Sequence, residues 1–202
     1  NAAAAIADHL RNEALDRQAT AELKRLLRLD TVPRRIEGFD ISNIMGNQSV
    51  ASLVVWEDGQ AKKSDYRKFR IQTVEGANDF ASMQEAVMRR YGATEDLARP
   101  DLILIDGGLG QLSAALEGLK QVGHEQIPIM GLAKARGEKE ERIFLPGRKN
   151  PILLRPTSPA THLVQRIRDE AHRFAITYHR NLRGKALLSS KLDQIPGIGK
   201  IR

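Results

Sequence analysis

Residues 101–133 constrain the fold more than any other part of this chain. They contain an apolar run, DLILI, then the amphipathic segment GQLSAALEGLKQVG, then a second apolar run, IPIMGLA. Both apolar runs are too short for helices and lack interior charges, as expected of strands covered on both faces. A strand, a helix and a strand in this order predict a right-handed parallel crossover.

Three antiparallel strands are predicted before this unit. The segments RRIEGFDIS, QSVASLVVW and YRKFRIQTV are rich in β-branched and aromatic residues, and EDGQ supplies a turn between the last two. A helix in FASMQEAVMRRYG follows, with Asn78 or Asp79 at its N-cap. Residues 134–150 are polar and of mixed charge, which predicts a mobile loop interrupted by the apolar piece RIFLP. The predicted fold is therefore α/β, with a mixed five-stranded sheet and helices on both faces.

Helical periodicity marks both ends of the chain. Residues 5–29 predict an N-terminal helix, a docking or connecting element that ends before Pro33. A long helix is predicted for about residues 160–182. Its apolar residues fall within an arc of about 100°, which predicts the buried face. They are Leu163, Val164, Ile167, Ala171, Phe174, Tyr178 and Leu182.

The charge balance favours a polyanionic partner. The 202 residues carry a formal net charge of +7, and 41% of them are apolar, enough for one main domain. The alternative is that the positive charge only aids solubility. Cysteine is absent, which excludes disulfides and thiolate metal sites. Because no apolar stretch approaches the length of a membrane span and no signal peptide is recognisable, we expect a cytoplasmic protein without membrane contact.

Asp106 follows the first apolar strand directly. Ligands of parallel sheets gather beyond the carboxyl ends of the strands, so a carboxylate there suits a hard cation. Gly107 and Gly108 remove side chains that would block the approach of a phosphate or a backbone. The alternative is that Asp106 only makes a turn or caps the next helix.

Asp40 is a second acid within a strand sequence. An acid among β-branched and aromatic residues costs several kcal/mol if it is buried without a partner, so it should face a cation or a wet cleft. If the first strand lies beside the strand ending at Asp106, both carboxylates share one site, and a divalent ion relieves their repulsion. The ordinary alternative is that Arg34 or Arg35 pairs with Asp40.

A basic stripe runs along the last predicted helix beside its buried face. It contains Arg168, His172 and His179. From this position His172 can ligate a metal or handle a proton, although a single such histidine is often structural. Carboxylate and imidazole donors together suit Mg²⁺ or Mn²⁺.

Three segments resemble one known family. EGFDISN (37–43), DLILIDGGLGQLSAA (101–115) and LVQRIRDEAHRFAITYHR (163–180) are similar to the C-terminal nuclease half of UvrC, the incision subunit of bacterial nucleotide excision repair. The resemblance implies a ribonuclease H-like fold and a metal-dependent DNA endonuclease that makes the 5′ incision. It implies a catalytic and metal-binding triad of Asp40, Asp106 and His172, with Asp79 as a further functional acid. Whether His172 is a ligand or a general base stays open.

The tail LDQIPGIGKIR resembles the start of a helix-hairpin-helix module, whose hairpin offers backbone N–H groups to a DNA phosphate. Gly197 and Gly199 lie in this hairpin, and we expect it to be truncated. The predicted domains are a connector (1–30), the endonuclease domain (31–186) and the hairpin start (187–202).

The resemblance implies damaged double-stranded DNA as substrate and UvrB as partner, with UvrA acting upstream. We expect the chain alone to be monomeric. Basic side chains of the loop and last helix are the predicted DNA contacts, although mixed-charge surfaces are often merely solvated. They are Lys134, Arg136, Arg166, Arg168, Arg173, His179 and Arg180.

Three other functions compete with this interpretation. An endonuclease V-like nuclease has similar acidic strand ends, but the RDEAH helix argues against it. A DNA-binding module without catalysis keeps the same fold and basic surface. A nucleotide-binding domain is disfavoured because neither GxGxxG nor GxxxxGK[ST] occurs.

Overall fold

The computed structural model describes residues 2–44, 48–74, 78–93, 98–134 and 140–192. Along the last helix, side chains are described as far as Thr177. The helices within these ranges are α1 (Ala2–Leu27), α2 (Asp79–Gly92), α3 (Leu109–Gln121) and α4 (Pro159–Leu192). The strands are β1 (Arg35–Ile44), β2 (Gln48–Glu57), β3 (Gln60–Ala61), β4 (Arg67–Arg70), β5 (Leu102–Asp106), β6 (Ile129–Lys134), β7 (Glu141–Phe144) and β8 (Ile152–Leu154).

The strands form one mixed sheet in the order β3-β2-β1-β5-β6-β7-β8, with β4 also paired to β2. Strand β5 is parallel to both β1 and β6, and the remaining pairs are antiparallel. The parallel crossover through α3 and the antiparallel strands before it are confirmed. The α/β, ribonuclease H-like fold class is therefore confirmed.

The sheet has eight strands where five were predicted. Part of the difference lies in the stretch 134–150, which was predicted to be a mobile loop. Residues Glu141–Phe144 form β7 against β6, and Ile152–Leu154 add β8 beyond it. Ile143 and Leu154 are buried and anchor these short strands to the core. Two buried apolar residues in a polar context are too weak a pattern to predict strands from sequence.

Helices cover both faces of the sheet and create two hydrophobic cores. One lies between the sheet and α1 with α4, and the other between the sheet and α2 with α3. The predicted buried face of α4 is confirmed for Leu163, Val164, Ile167 and Ala171, and Phe174 is partly buried. Tyr178 and Leu182 lie beyond the described side chains. Among the described side chains of α1, those that join the core lie in its C-terminal half, while Ile6, Leu10 and Leu15 are exposed.

Helix α4 approaches strand β1 closely at Gly38. A Cβ atom at this position would lie 2.7 Å from Cγ2 of Ile167. Such a separation is well inside ordinary van der Waals contact, so any side chain at position 38 would require the Ile167 side chain or the helix to shift. No helix in the described part of the chain is long and apolar enough to cross a membrane.

A buried ionic network joins β1 to α2 on the opposite face. Glu37 is fully buried and accepts hydrogen bonds from Arg90 (2.8 Å), from the hydroxyl of Tyr91 (2.8 Å) and from Arg35 (3.2 Å). Two guanidinium groups and a hydroxyl satisfy this carboxylate, so its burial is compatible with folding. The network holds α2 against β1.

We predict that Glu37→Gln lowers the free energy of unfolding by roughly 3 kcal/mol, because it leaves two buried guanidinium groups without their shared anion. Urea denaturation at neutral pH measures this loss. Asp58→Asn, which breaks the exposed Arg34–Asp58 pair, is the control and should leave stability nearly unchanged. Equal stability of Glu37→Gln and the wild type would contradict the structural role of the network.

Candidate active site

Strands β1 and β5 place Asp40 beside Asp106. Their parallel register runs from Ile36 opposite Leu102 to Phe39 opposite Ile105, and the two aspartates are the next residues along each strand. Asp40 also pairs in register with Ser52 of β2, whose hydroxyl donates to the carbonyl of Ala171 at 3.0 Å. The carboxylates therefore lie on the α4 face, at the carboxyl ends of two neighbouring strands.

Burial and nearby like charges perturb both carboxylates. Burial, with the charge of Asp40 as second cause, raises the pKa of Asp106 to about 6. Burial also raises the pKa of Asp40, although a hydrogen bond from Ser42 (3.1 Å) and the nearby His172 act against it. Perturbation by burial and a like charge is typical of functional carboxylates. A bound cation would relieve this repulsion.

Neither predicted arginine neutralises Asp40. The guanidinium of Arg34 binds Asp58, and that of Arg35 binds Glu37, Glu57 and Asp65. The ordinary alternative, in which Asp40 is half of a structural ion pair with one of these arginines, is therefore wrong.

His172 lies at the rim of this pair of acids. Its Nδ1 is 3.6 Å from Oδ2 of Asp40, and its side chain is 62% exposed. Helix α4 holds it there, because the preceding residue, Ala171, is buried against the sheet and bound by Ser52. An imidazole whose Nδ1 faces a carboxylate presents Nε2 on the other side of its ring.

Asp79 belongs to the same electrostatic cluster. The N-cap of α2 is Asn78, whose side chain accepts a hydrogen bond from the backbone N–H of Ala81 at 3.1 Å. Asp79 is therefore not the capping residue, and its charge raises the pKa of Asp40. The capping explanation for Asp79 is wrong, and its predicted functional role stays a prediction.

The donors suit a divalent cation in kind. Two carboxylates with raised pKa and one imidazole are ligands that Mg²⁺ and Mn²⁺ accept. No group of three or more His, Cys, Asp or Glu side chains in the described ranges has a spacing ready for metal binding. His172 approaches Asp40, and Asp40 neighbours Asp106, but the predicted convergence of all three on one ion requires a further approach of the side chains.

The two glycines after Asp106 differ in their surroundings. A Cβ on Gly107 would collide with the side chain of Gln111, whose Oε1 accepts a hydrogen bond from the Gly108 N–H at 3.2 Å. No atom lies within 4 Å of a Cβ built on Gly108. The predicted space for an approaching phosphate or backbone is therefore present at Gly108, whereas the space at Gly107 is occupied by the side chain of Gln111.

Several predicted DNA contacts are engaged within the chain. Arg166 pairs with Asp16 of α1, Arg168 with Glu141, and Arg173 with Glu170. Lys134 is exposed at the end of β6. Contact of these residues with DNA stays a prediction. Arg136, Gly197, Gly199 and the side chains of His179 and Arg180 lie outside the described residues.

Glu141 is the site residue that sequence analysis missed. It lies at the start of β7, is 1% exposed, and raises the pKa of Asp106 through its charge. The only signal in the sequence is the short alternation ERIF, whose first and third residues are buried. When a charged residue occupies a buried position of a strand of only four residues, the sequence pattern cannot be distinguished from that of a polar loop.

The mixed sheet with acidic residues at the ends of two adjacent strands defines a ribonuclease H-like domain. The family model described as "UvrC RNAse H endonuclease domain" matches residues 24–176, and the chain belongs to this family.

Its relatives are proteins named UvrABC system protein C. The protein from Bdellovibrio bacteriovorus is 50% identical over 191 residues, covering 90% of this chain and 30% of the relative. That from Solibacter usitatus is 53% identical over 180 residues, covering 88% of this chain and 28% of the relative. The chain thus spans about a third of the length of these relatives. A crystal structure of human ENDOV, 15% identical, matches with a TM-score of 0.51 over 84% of this chain and 99% of that one, a likeness of fold alone.

We predict that Asp106→Asn stabilises the metal-free chain at pH about 7.5. Because the folded-state pKa is raised from 3.8 to about 6, the ionised carboxylate opposes folding above this range by up to about 3 kcal/mol. The advantage of the variant should shrink as pH falls through 6 and vanish only below about pH 3.8, where the wild-type carboxyl is protonated in both states. Urea denaturation in EDTA at several pH values measures it.

Glu85→Gln is the matched control, because its effect on stability at neutral pH should be opposite to that of Asp106→Asn. Burial tends to raise the pKa of Glu85, but hydrogen bonds from Thr73 and Gln72 outweigh it and lower the pKa. Removal of this charge should therefore destabilise the chain at neutral pH. A loss of stability in Asp106→Asn would show that Asp106 is a structural carboxylate.

Proposed function

We propose that this chain is a metal-dependent endodeoxyribonuclease domain. It hydrolyses a phosphodiester of damaged double-stranded DNA and makes the 5′ incision of bacterial nucleotide excision repair. The observation that carries this proposal is the parallel pairing of β1 with β5, which sets Asp40 beside Asp106 and raises the pKa of Asp106 to about 6. Membership of the UvrC endonuclease family supports the choice of DNA as substrate.

Asp40 and Asp106, with His172, would hold Mg²⁺ or Mn²⁺. A divalent ion there supplies Lewis acidity toward the phosphate and lowers the pKa of water. The carboxylates contribute the negative charge that attracts the cation, and their burial keeps the site's electrostatic interactions strong. Asp79 adds charge to the same field and is proposed as a further functional acid.

His172 is suited to proton transfer as well as to ligation. With Nδ1 toward Asp40, the ring is oriented by that carboxylate and offers Nε2 to a water molecule or a DNA oxygen. Either role requires a neutral imidazole, because a protonated ring neither binds a cation nor accepts a proton.

The partners of the longer relatives are proposed for this chain too. Damaged DNA would be delivered by UvrB, with UvrA acting upstream. The net charge of +7 suits a DNA-binding surface, and recognition through the phosphate backbone makes affinity fall with salt. We propose that the chain alone is a monomer.

We predict that Mn²⁺ supports cleavage of a nicked or lesion-bearing duplex and that Asp106→Asn reduces the single-turnover rate at least about a hundredfold. The variant keeps its shape and loses one carboxylate, so DNA affinity measured with Ca²⁺ should persist. Asp58→Asn, far from the site, is the control. Binding by the wild type without cleavage in any divalent ion would favour a non-catalytic DNA-binding module.

We also predict that Mn²⁺ affinity depends on pH through Asp106. Since a cation competes with the proton of a carboxyl whose pKa is about 6, affinity should be nearly constant above about pH 7 and fall below about pH 6. Titration calorimetry of the metal-free chain measures this, and His172→Ala reports whether the imidazole is a ligand. A Mn²⁺ affinity that does not change between about pH 5 and 7 would show that Asp106 does not bind the metal.

A further inference from the structure

Glu141 and Arg168 form a buried ion pair on the face of the sheet that carries the candidate site. Oε2 of Glu141 accepts a hydrogen bond from Nη1 of Arg168 at 2.8 Å, and Oε1 accepts one from the amide of Gln165 at 3.0 Å. Glu141 is 1% exposed and the side chain of Arg168 is 18% exposed. The pair has few alternative geometries because both oxygens of the carboxylate are bound and the strand is rigid.

This pair lies on the face of the sheet that carries Asp106, and both of its charges act on that carboxylate. Arg168 precedes His172 by four residues, which is about one helical turn, so both side chains lie on the same stripe of α4. His172 faces Asp40, while the charge of Arg168 acts attractively on Asp106. Helix α4 thus directs two basic side chains to the face of the sheet that carries the two carboxylates.

The guanidinium keeps donor capacity for a ligand. Of its five N–H groups, the bond to Glu141 uses one, and Nε and Nη2 make only long contacts of 3.4 and 3.5 Å with the exposed Asp169. A planar guanidinium that is held at one nitrogen by a buried carboxylate and makes only long contacts at the others is suited to a phosphate oxygen. A buried ion pair also adds little stability over apolar replacements, so structure alone gives a weak reason for it.

We propose that Glu141 is a positioning residue that holds the guanidinium of Arg168 beside Asp106, where it binds a non-bridging oxygen of the scissile phosphate. The proposal rests on the nuclease function proposed above. Arg168 thereby contributes a positive charge that a chelator does not remove. On net charge alone, loss of the negative charge of Glu141 should favour DNA binding and should not slow cleavage.

The first test measures DNA binding in EDTA, where no cleavage occurs. Arg168→Gln should weaken binding several-fold and reduce the slope of log affinity against log salt by about one, the change expected for one lost phosphate contact. Arg168→Lys keeps the charge and should preserve most of the slope. An unchanged slope in Arg168→Gln would overturn the phosphate contact.

The second test separates positioning from charge. Glu141→Gln should slow single-turnover cleavage with Mn²⁺ at least about tenfold without weakening DNA affinity, because the guanidinium stays present but loses its orientation. Asp16→Asn is the matched control, since it removes the buried carboxylate that holds Arg166 on the same helix. It should cleave at the wild-type rate.

Two further variants distinguish a loss of the proposed contact from a folding defect. The double variant Glu141→Gln, Arg168→Gln leaves no unpaired buried charge and should cleave as slowly as Arg168→Gln alone. Added guanidinium ion should partly restore cleavage by Arg168→Ala, which a structural defect would not permit.

The outcomes distinguish this proposal from the proposed function. If the wild type cleaves, Asp106→Asn does not, and both Glu141→Gln and Arg168→Gln cleave at the wild-type rate, the positioning role is refuted while the nuclease stands. If the wild type does not cleave, the nuclease proposal fails, and the salt slope in EDTA still decides whether Arg168 contacts phosphate.

Discussion

The close packing of α4 against β1 at Gly38 is the contact on which the candidate site depends. Ile167 occupies the space that a side chain at position 38 would need, and Arg168 and His172 follow it within the next turn and a half of the helix. Asp40 lies two residues beyond Gly38 on the same face of β1. This contact therefore limits how closely α4 and its basic side chains approach the carboxylates, and a larger residue at position 38 would require the Ile167 side chain or the helix to shift.

Buried carboxylates of this chain fall into two physical groups. Glu37 and Glu141 are bound by arginines, and Glu85 by backbone and hydroxyl donors that lower its pKa. Asp40 and the partly buried Asp106 instead have raised pKa values, because burial and a nearby like charge, Asp79 for Asp40 and Asp40 for Asp106, outweigh the donors around them. The first group stabilises the fold, while the second is a source of instability that a cation would remove. Carboxylates that destabilise the metal-free fold are typical of binding sites, whereas carboxylates satisfied by donors are typical of structural positions.

The sequence was sufficient for those parts of the site that depend on local periodicity. Alternation along β1 placed Asp40 on the face of Gly38, and the strand, helix and strand order placed Asp106 at a carboxyl end. The buried face of α4 followed from helical spacing. In each case a period of 2 or 3.6 residues encodes the direction of a side chain. The adjacency of β1 and β5 was a conditional prediction, because register between distant strands has no local signal.

The ion-pair partners of side chains were harder to predict than the directions in which the side chains point. Nothing in the spacing of α4 indicated that Arg166 meets Asp16, because that contact depends on how α1 packs. Nor did the polar stretch before Ile143 indicate a buried Glu141, since a charged residue in a short polar segment is typical of a loop. Arg34 and Arg35 were reasonable partners for Asp40 by proximity in sequence, yet the strand directs Arg35 to Glu37, Glu57 and Asp65.

The three described arginines in the middle of α4 show why net charge alone does not locate a DNA contact. Arg166 is bound to Asp16 and lies over the ring of Trp56 at 5.3 Å, which ties α4 to α1 and β2. Arg173 forms an exposed pair with Glu170 in its own helix. Among these three, Arg168 alone acts electrostatically on a carboxylate of the site, Asp106. Its guanidinium is also held by the buried carboxylate of Glu141. The same residue type thus serves packing, surface pairing or phosphate recognition according to the group that holds it.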